Sequence, residues 1–234
     1  MNDYYQIQLD VVDSTNTYLK THYLDLNNFT FVRALFQSKG KGRNERIWNS
    51  DKGENLLFSL LIKDFHLLSY GGYLSLVAAT SICKIMEKFN INPLIKWPND
   101  IYVNDKKICG ILLEGKIPEY IIIGCGININ QKEFVGEYRI PPTSLFLEIN
   151  QNINIDEIQN LIYRELFDEL TNIDNNKKDL FDYFYRHNYL ENKSITISDF
   201  KNCSFDDIDD NFNLIIADKN GNKHIITSGE LIIE

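Results

Sequence analysis

The run Tyr120-Ile121-Ile122-Ile123-Gly124-Cys125-Gly126-Ile127-Asn128-Ile129 constrains the fold more than any other segment. It is almost continuously apolar and lacks the alternation of a strand with one wet face, so it predicts a central strand. Other segments supply the sheet around it. Residues 5–12 alternate apolar and polar side chains and read as a strand, as do residues 30–36, 55–63 and the short stretch near 94–97. A hairpin centred on Asn104-Asp105 leads into a strand over 108–114.

Helical signals are interleaved with these strands. Asp13-Ser14-Thr15-Asn16 offers N-cap candidates for a short helix at 17–20. Leu74, Ala78, Ile82, Ile85, Met86 and Phe89 recur near the helical period, which predicts a helix over 72–89 packed on the sheet. Residues 156–170 read as a helix capped by Asp156, with Ile158, Leu161, Ile162, Leu166 and Leu170 as its apolar stripe. A further helix at 177–189 carries Leu180, Phe181, Phe184 and Tyr185. Beyond it the pattern changes to short strands at 194–198, 203–208, 212–217 and 223–233, with Asn220-Gly221 as a tight turn. The expected architecture is a mixed α+β domain over residues 1–188 and a small barrel-like β domain over 189–234.

No apolar run approaches the ~20 residues needed to span a bilayer, and the first residues lack the basic start and apolar block of a signal peptide. The four cysteines are scattered without metal-type spacing, which favours free buried thiols in a reducing compartment. The expectation is a cytoplasmic protein without membrane partners. A net charge of −9 argues against a general nucleic-acid binder.

Two segments carry chemistry. In Gln37-Ser38-Lys39-Gly40-Lys41-Gly42-Arg43-Asn44-Glu45-Arg46-Ile47-Trp48, four cations fall within eight residues of an otherwise acidic chain. A bare charge cluster is most simply a solvated loop. Gly40 and Gly42, however, permit the close backbone approach and positive φ that folding around a phosphate or carboxylate requires. Arg43 and Arg46 can make paired contacts to such an anion, while Lys39 and Lys41 act as mobile point charges. The segment is not a P-loop, and Gly124-Cys125-Gly126 lacks the third glycine of a dinucleotide fingerprint.

The second segment is Lys96-Trp97-Pro98-Asn99-Asp100-Ile101-Tyr102-Val103, closed by Lys107 and Gly110. Each member has a bland reading: Trp97 as a core plug, Asn99 and Asp100 as turn formers, Lys107 as an exposed hairpin lysine. Grouped at a strand edge beside the cationic loop, they point to a site that handles an anion and activates a carboxylate.

Lys96-Trp97-Pro98-Asn99-Asp100, followed by Lys107-Ile108-Cys109-Gly110-Ile111-Leu112-Leu113-Glu114, closely resembles the hallmark of biotin–protein ligases. Ser14-Thr15-Asn16, the loop at 37–48 and Ile123-Gly124-Cys125-Gly126-Ile127-Asn128 resemble further family motifs, in the family's order and spacing. The resemblance implies an α+β catalytic domain like that of class II aminoacyl-tRNA synthetases, followed by an SH3-like β-barrel whose tail holds Gly229-Glu230. It implies that biotin and ATP give biotinyl-5′-AMP and pyrophosphate, and that a lysine of a biotin carboxyl carrier protein then takes the biotin. Mg²⁺ would screen the phosphates, with Asn99 near the metal.

On the same footing, Lys107 would sit at the biotin carboxylate and bridge to the phosphate, and Arg43 would help to retain the adenylate. Asp100 would act as a base or orienter for the attacking amine. Ser14, Thr15, Asn16, Gln37, Gly40, Gly110, Leu112 and Gly124 would line the biotin site together with Arg43 and Lys107. Lys41, Arg43, Arg46, Trp48, Asn99 and Asn128 would face the nucleotide. Two departures stand out: Lys41 replaces a family arginine and Glu45 replaces a glycine, so the loop is expected to close differently or hold the adenylate less tightly. The motifs begin at Ser14, which leads to the expectation of an enzyme without a DNA-binding module. Family members occur as monomers and as dimers, so either state is open. The competing readings are a lipoate–protein ligase with the same adenylate chemistry and a non-catalytic biotin or nucleotide sensor.

Overall fold

The computed structural model describes residues 5–44 and 46–233. The start of the chain and Glu45, whose effect on the loop was an expectation above, lie outside the described residues. In chain order the elements are β1 (Gln6–Val12), α1 (Thr15–His22), β2 (Phe31–Gln37), β3 (Asn55–Ile62), α2 (Phe65–Leu68), α3 (Tyr73–Glu87), β4 (Leu94–Lys96), β5 (Asp100–Val103), β6 (Lys106–Lys116) and β7 (Tyr120–Asn128). There follow α4 (Leu145–Ile149), α5 (Ile155–Thr171), α6 (Ile173–Arg186), β8 (Ile195–Ile197), β9 (Phe200–Ile208), β10 (Leu214–Ala217), β11 (Lys223–Ile226) and β12 (Ile232–Ile233). The fold is mixed α+β.

The large sheet runs β1-β2-β3-β7-β6-β5-β4, so the apolar run at 120–129 supplies its middle strand. Only β1 and β2 pair in parallel; the other neighbours are antiparallel. Side-chain alternation then decides what each face holds. On β3, Leu56, Phe58, Leu60 and Ile62 enter the main core with α3 and α5, as do Ile121, Ile123, Cys125 and Ile127 of β7. The opposite face carries Leu61, Val32 and Ile122 beneath Leu19 of α1. Farther along that face small and polar residues replace the hydrophobics: Ser59, Gly124, Gly126 and Asn128. Helices pack one side, and a cavity opens on the other beyond the end of α1.

The structure departs from the sequence expectations at several ends. Asn154, not Asp156, caps α5, accepting from the Asp156 and Glu157 backbone N–H groups at 3.0 and 3.4 Å. Asp156 instead lies in the first turn, where a carboxylate suits the helix dipole, and pairs with the buried Arg33. Helix α6 starts at Ile173, directly after the Asn172 that ends α5. The stretch at 223–233 is two strands, because the chain leaves the sheet after Ile226 and passes through Gly229, with φ +154°, before β12. The C-terminal sheet runs β11-β10-β9-β8-β12 and is open, where a barrel-like form was expected.

Asn104 and Asp105 form the expected hairpin turn, with φ of 50° and 60°. All four cysteines are free and buried, and burial pushes the Cys125 thiol far above its ordinary range. Among the described residues no helix is long and apolar enough to cross a membrane.

Candidate functional site

A cavity of about 690 Å³ lies over the cavity-facing side of β7 and β6, walled by α1, the loop at 41–49, the segment at 134–142 and the C-terminal residues 229–231. Its inner end is a recess at the N-terminus of α1. Ser14, Thr15 and Asn16 are 2–3% exposed there. Ser14 opens the helix without capping it through its side chain. The Thr15 backbone N–H donates to Gln37 Oε1 at 2.7 Å. The fully buried Ser59 hydroxyl stands 2.7 Å from Thr15 Oγ1 and 2.6 Å from Asn16 Oδ1. The Asn16 amide in turn donates to Glu114 Oε2 at 3.0 Å and to the Leu112 carbonyl at 3.4 Å. Gly124 admits this network, since a Cβ there would lie 2.1 Å from Asn16 Oδ1.

The floor is made by Gly110 and Gly126, which face one another across β6 and β7. The Trp48 indole lies against both: a Cβ at Gly126 would approach its Cε2 to 2.5 Å, and one at Gly110 its Cζ3 to 3.0 Å. Lys107 Nζ stands 5.6 Å from the centre of the indole and 2.6 Å from Asp100 Oδ1. Both charges are largely shielded, with side chains 28% and 17% exposed, so their attraction is stronger than that of a surface pair.

The outer end is cationic. The loop is pinched at its neck, where the Trp48 N–H donates to the Gly40 carbonyl at 2.9 Å and Lys41 bridges to Ile47. Gly40 therefore serves this neck and does not line the main cavity; a Cβ there would meet the Trp48 carbonyl oxygen at 2.4 Å. Asn44 makes the left-handed bend of the loop, with φ 54°. Arg43 donates to Asn99 Oδ1 at 3.2 Å, and the Asn99 amide donates to the Ile111 carbonyl at 2.7 Å. Asn128 donates to the Thr143 carbonyl at 2.9 Å, while its Oδ1 is buried without a partner among the described residues. The Trp48 indole N–H is likewise buried and unpartnered.

Of the described residues assigned a part in the site from sequence, Lys39 and Gly40 lie outside the lining of this cavity, and the others line it together. Trp97 also reaches its wall, but it is foremost a core plug: 1% exposed, it donates from Nε1 to the Phe212 carbonyl at 2.7 Å. Sequence reasoning assigned no role to Gly126, Lys96, Arg139 or Glu230. Gly126 and Lys96 stood inside recognised motifs, and Glu230 beside a recognised glycine. Arg139 had no local signal. Arg46 and Arg139 both hold the Glu230 carboxylate. The hydrogen bond from Arg46 draws that carboxyl below its ordinary range against the opposing effect of burial.

The arrangement thus presents a polar recess, a flat glycine floor beside a shielded ammonium, and a cationic mouth. Such a site can hold a neutral ring at one end and a polyanion at the other, with Lys107 at their junction.

Residues 9–128 match the model of the Biotin/lipoate A/B protein ligase family. The bifunctional ligase/repressor BirA of Bacillus subtilis is 37% identical over 155 residues, covering 62% of this chain and 47% of that protein. BirA of Escherichia coli is 38% identical over 130 residues, covering 52% of this chain and 39% of that protein. The chain thus spans about half the length, or less, of these relatives. Among solved structures, the biotin protein ligase from Aquifex aeolicus in complex with biotin and ATP superposes with a TM-score of 0.87 at 26% identity, covering 98% of each chain.

Proposed function

Since the chain belongs to the Biotin/lipoate A/B protein ligase family, we propose that it is an ATP-dependent biotin–protein ligase. It activates biotin to biotinyl-5′-AMP with release of pyrophosphate and transfers the biotin to a lysine of a biotin carboxyl carrier protein. The observation that carries this reading is the position of Lys107, whose ammonium lies between the recess and the cationic mouth and is held by Asp100 at 2.6 Å.

A free carboxylate does not acylate an amine, because its oxygen is a poor leaving group. Attack of that oxygen on the α-phosphorus of ATP expels pyrophosphate and makes the oxygen the bridge of an acyl-adenylate, from which AMP leaves readily when the amine attacks. The attack brings two anions together, so fixed cations at the junction lower the barrier; loss of one such donor costs ~3–4 kcal/mol in comparable sites. We assign the ureido ring to the recess of Ser14, Thr15, Asn16 and Gln37, and the thioether ring and valeryl chain to the strip of Gly124, Leu112 and Gly110. Lys107 serves the carboxylate. Arg43, Lys41 and Arg46 retain the phosphates from the loop side, and the unpartnered Asn128 Oδ1 and the Trp48 ring face the base.

Mg²⁺ fits on the phosphates and not in a protein cage. No cluster of three metal-binding side chains occurs among the described residues. Asp100 is committed to Lys107, so Asn99 Oδ1 is the nearby oxygen. Bound there, the ion would screen the polyphosphate charge.

We further divide the chain into a class II synthetase-like catalytic domain over 1–188 and an SH3-like module over 189–234, the latter supported by its separate five-stranded sheet. A cytoplasmic setting accords with the four free thiols. The test is pyrophosphate exchange into ATP, followed by incubation with biotin, MgATP and a carrier-domain fragment read by mass spectrometry. Exchange is expected with biotin and not with lipoate, and one carrier lysine is expected to gain one biotin. Exchange supported by lipoate alone would overturn the reading.

A further inference from the structure

Behind the recess lies a short chain of polar contacts whose hydrogens do not add up. Asn16 Oδ1 stands 2.6 Å from the Ser59 hydroxyl, which stands 2.7 Å from Thr15 Oγ1. Thr15 Oγ1 is in turn 3.0 Å from Gln37 Oε1. Three oxygen–oxygen contacts thus join these four residues, and only the two hydroxyls carry hydrogens to fill them. The amide oxygen of Asn16 accepts only, so Ser59 must donate to it. The Thr15 hydrogen then serves the shorter contact, to Ser59, because Gln37 Oε1 already accepts the Thr15 backbone N–H at 2.7 Å. That leaves Thr15 Oγ1 and Gln37 Oε1 as two acceptors side by side with no hydrogen between them.

Turning the Asn16 amide over would remove the shortage. Its NH2 group would donate to Ser59, Ser59 to Thr15 and Thr15 to Gln37, so that every contact held a hydrogen. Glu114 forbids that arrangement. A carboxylate accepts and cannot donate. Glu114 Oε2 lies 3.0 Å from the Asn16 amide nitrogen, and the Leu112 carbonyl lies 3.4 Å from the same atom. Reversed, Asn16 would set its oxygen against both. Lys20 holds the carboxylate from outside, 3.8 Å from its other oxygen. Ser59 is fully buried and Thr15 and Asn16 almost so, which keeps bulk water from scrambling the direction of the chain.

We propose that Glu114 and Ser59 are positioning residues that polarise the recess. Acting through Asn16, they turn the Thr15 hydroxyl hydrogen inward and present Thr15 Oγ1 and Gln37 Oε1 as a paired acceptor for a ligand N–H. The proposal rests on the assignment of the ureido ring to this recess. That ring has N–H groups to place between the two oxygens; the dithiolane ring of lipoate has none and would leave both unpaired. A site built to pair with an N–H rejects a ligand without one more strongly than size alone allows. Neither Ser59 nor Glu114 lines the cavity, so their effect passes through Asn16 and Thr15.

The experiment compares E114Q and S59A with the unmodified full chain, after thermal melts establish that each variant folds. E114Q keeps the shape of the side chain but lets it donate to a reversed Asn16. S59A removes the central hydroxyl and frees the Thr15 hydrogen to fill the contact to Gln37. In biotin-dependent pyrophosphate exchange the KM for biotin is expected to rise about 10-fold in each, the loss typical of one buried hydrogen bond. The KM for ATP should be unchanged. Biotin methylated on one or the other ureido nitrogen reads the paired acceptor itself. In the unmodified protein, methylation of the nitrogen that meets the pair should cost about 10-fold or more in KM. In both variants that penalty should shrink, whereas a merely structural defect would leave the ratio between the two ligands as it was. An unchanged biotin KM in E114Q, an equal rise in the KM for ATP, or an undiminished methylation penalty in either variant would overturn the proposal. Absence of biotin-dependent exchange in the unmodified protein would overturn the functional reading, and this assignment with it.

Discussion

The recess at the start of α1 and the cationic mouth around residues 41–48 line the same cavity but satisfy their polar groups differently. In the recess, Ser59, Thr15, Asn16, Gln37 and Glu114 are joined in one hydrogen-bonded network, and Ser14, Thr15 and Asn16 are at most 3% exposed. At the mouth, the Arg46 and Arg139 side chains are 58% and 45% exposed and share a single acid brought from the distant C-terminal sheet. A closed network has its shape before a ligand arrives; exposed ion pairs exchange partners at little cost. The difference teaches that the two ends select by different means, the recess by fit and the mouth by charge.

The sharpest way to break that comparison is at the junction. Lys107→Ala should lower adenylation about 10²–10³-fold, corresponding to ~3–4 kcal/mol, while the chain still folds and its melting temperature falls only by what the loss of one partly shielded ion pair with Asp100 costs. Pyrophosphate exchange measures the first effect and a thermal melt the second. An unimpaired variant would mean that neither end converges on Lys107.

Next in size is Gly124→Ala, which tests whether the recess is as rigid as its network implies. The added methyl would meet Asn16 Oδ1 at 2.1 Å, and Asn16 is held from two other sides by Ser59 and Glu114. Overpacking of this kind costs ~1–3 kcal/mol, so the KM for biotin should rise about 10–100-fold with little change in the KM for ATP. Titration of biotin and ATP separately reads the split. If the ATP term moved equally, the two ends would not be independent.

How much of this was legible in the sequence follows the same division. The central position of 120–129 could be read because a strand covered on both faces must be apolar at every position, and this one is, apart from its glycines and Asn128. The recess and floor residues could be read because each lies in a short contiguous motif. The polar partners behind them could not: Ser59 sits in an ordinary apolar strand, Asn-Leu-Leu-Phe-Ser-Leu-Leu-Ile, where nothing marks it as the hub beneath Thr15 and Asn16. Arg139 and Glu230 meet across 91 residues, and no local pattern joins them. Asp156 was misread as a cap because Asp and Asn cap equally well. Only the backbone turn at Asn154 decides between them.

The smallest expected effect concerns the acid that closes the mouth. The Glu230 carboxyl lies below its ordinary range because Arg46 hydrogen-bonds it, with burial acting against this and the charges of Arg46, Arg139 and Lys96 adding to it. A carboxyl lowered in the folded state contributes stability that is present above its ordinary value of 4.5 and is lost as pH falls through the lower folded value. The unmodified chain should therefore be slightly more stable than Glu230→Gln at pH 7, by no more than ~1 kcal/mol given the exposure of both arginines. That difference should vanish in acid below the folded value. Denaturant melts of both proteins from pH 7 down to pH 3 measure it. A loss in Glu230→Gln at pH 7 as large as that expected for Gly124→Ala would mean that the mouth is as tightly built as the recess, and that charge there fixes shape instead of waiting for phosphate.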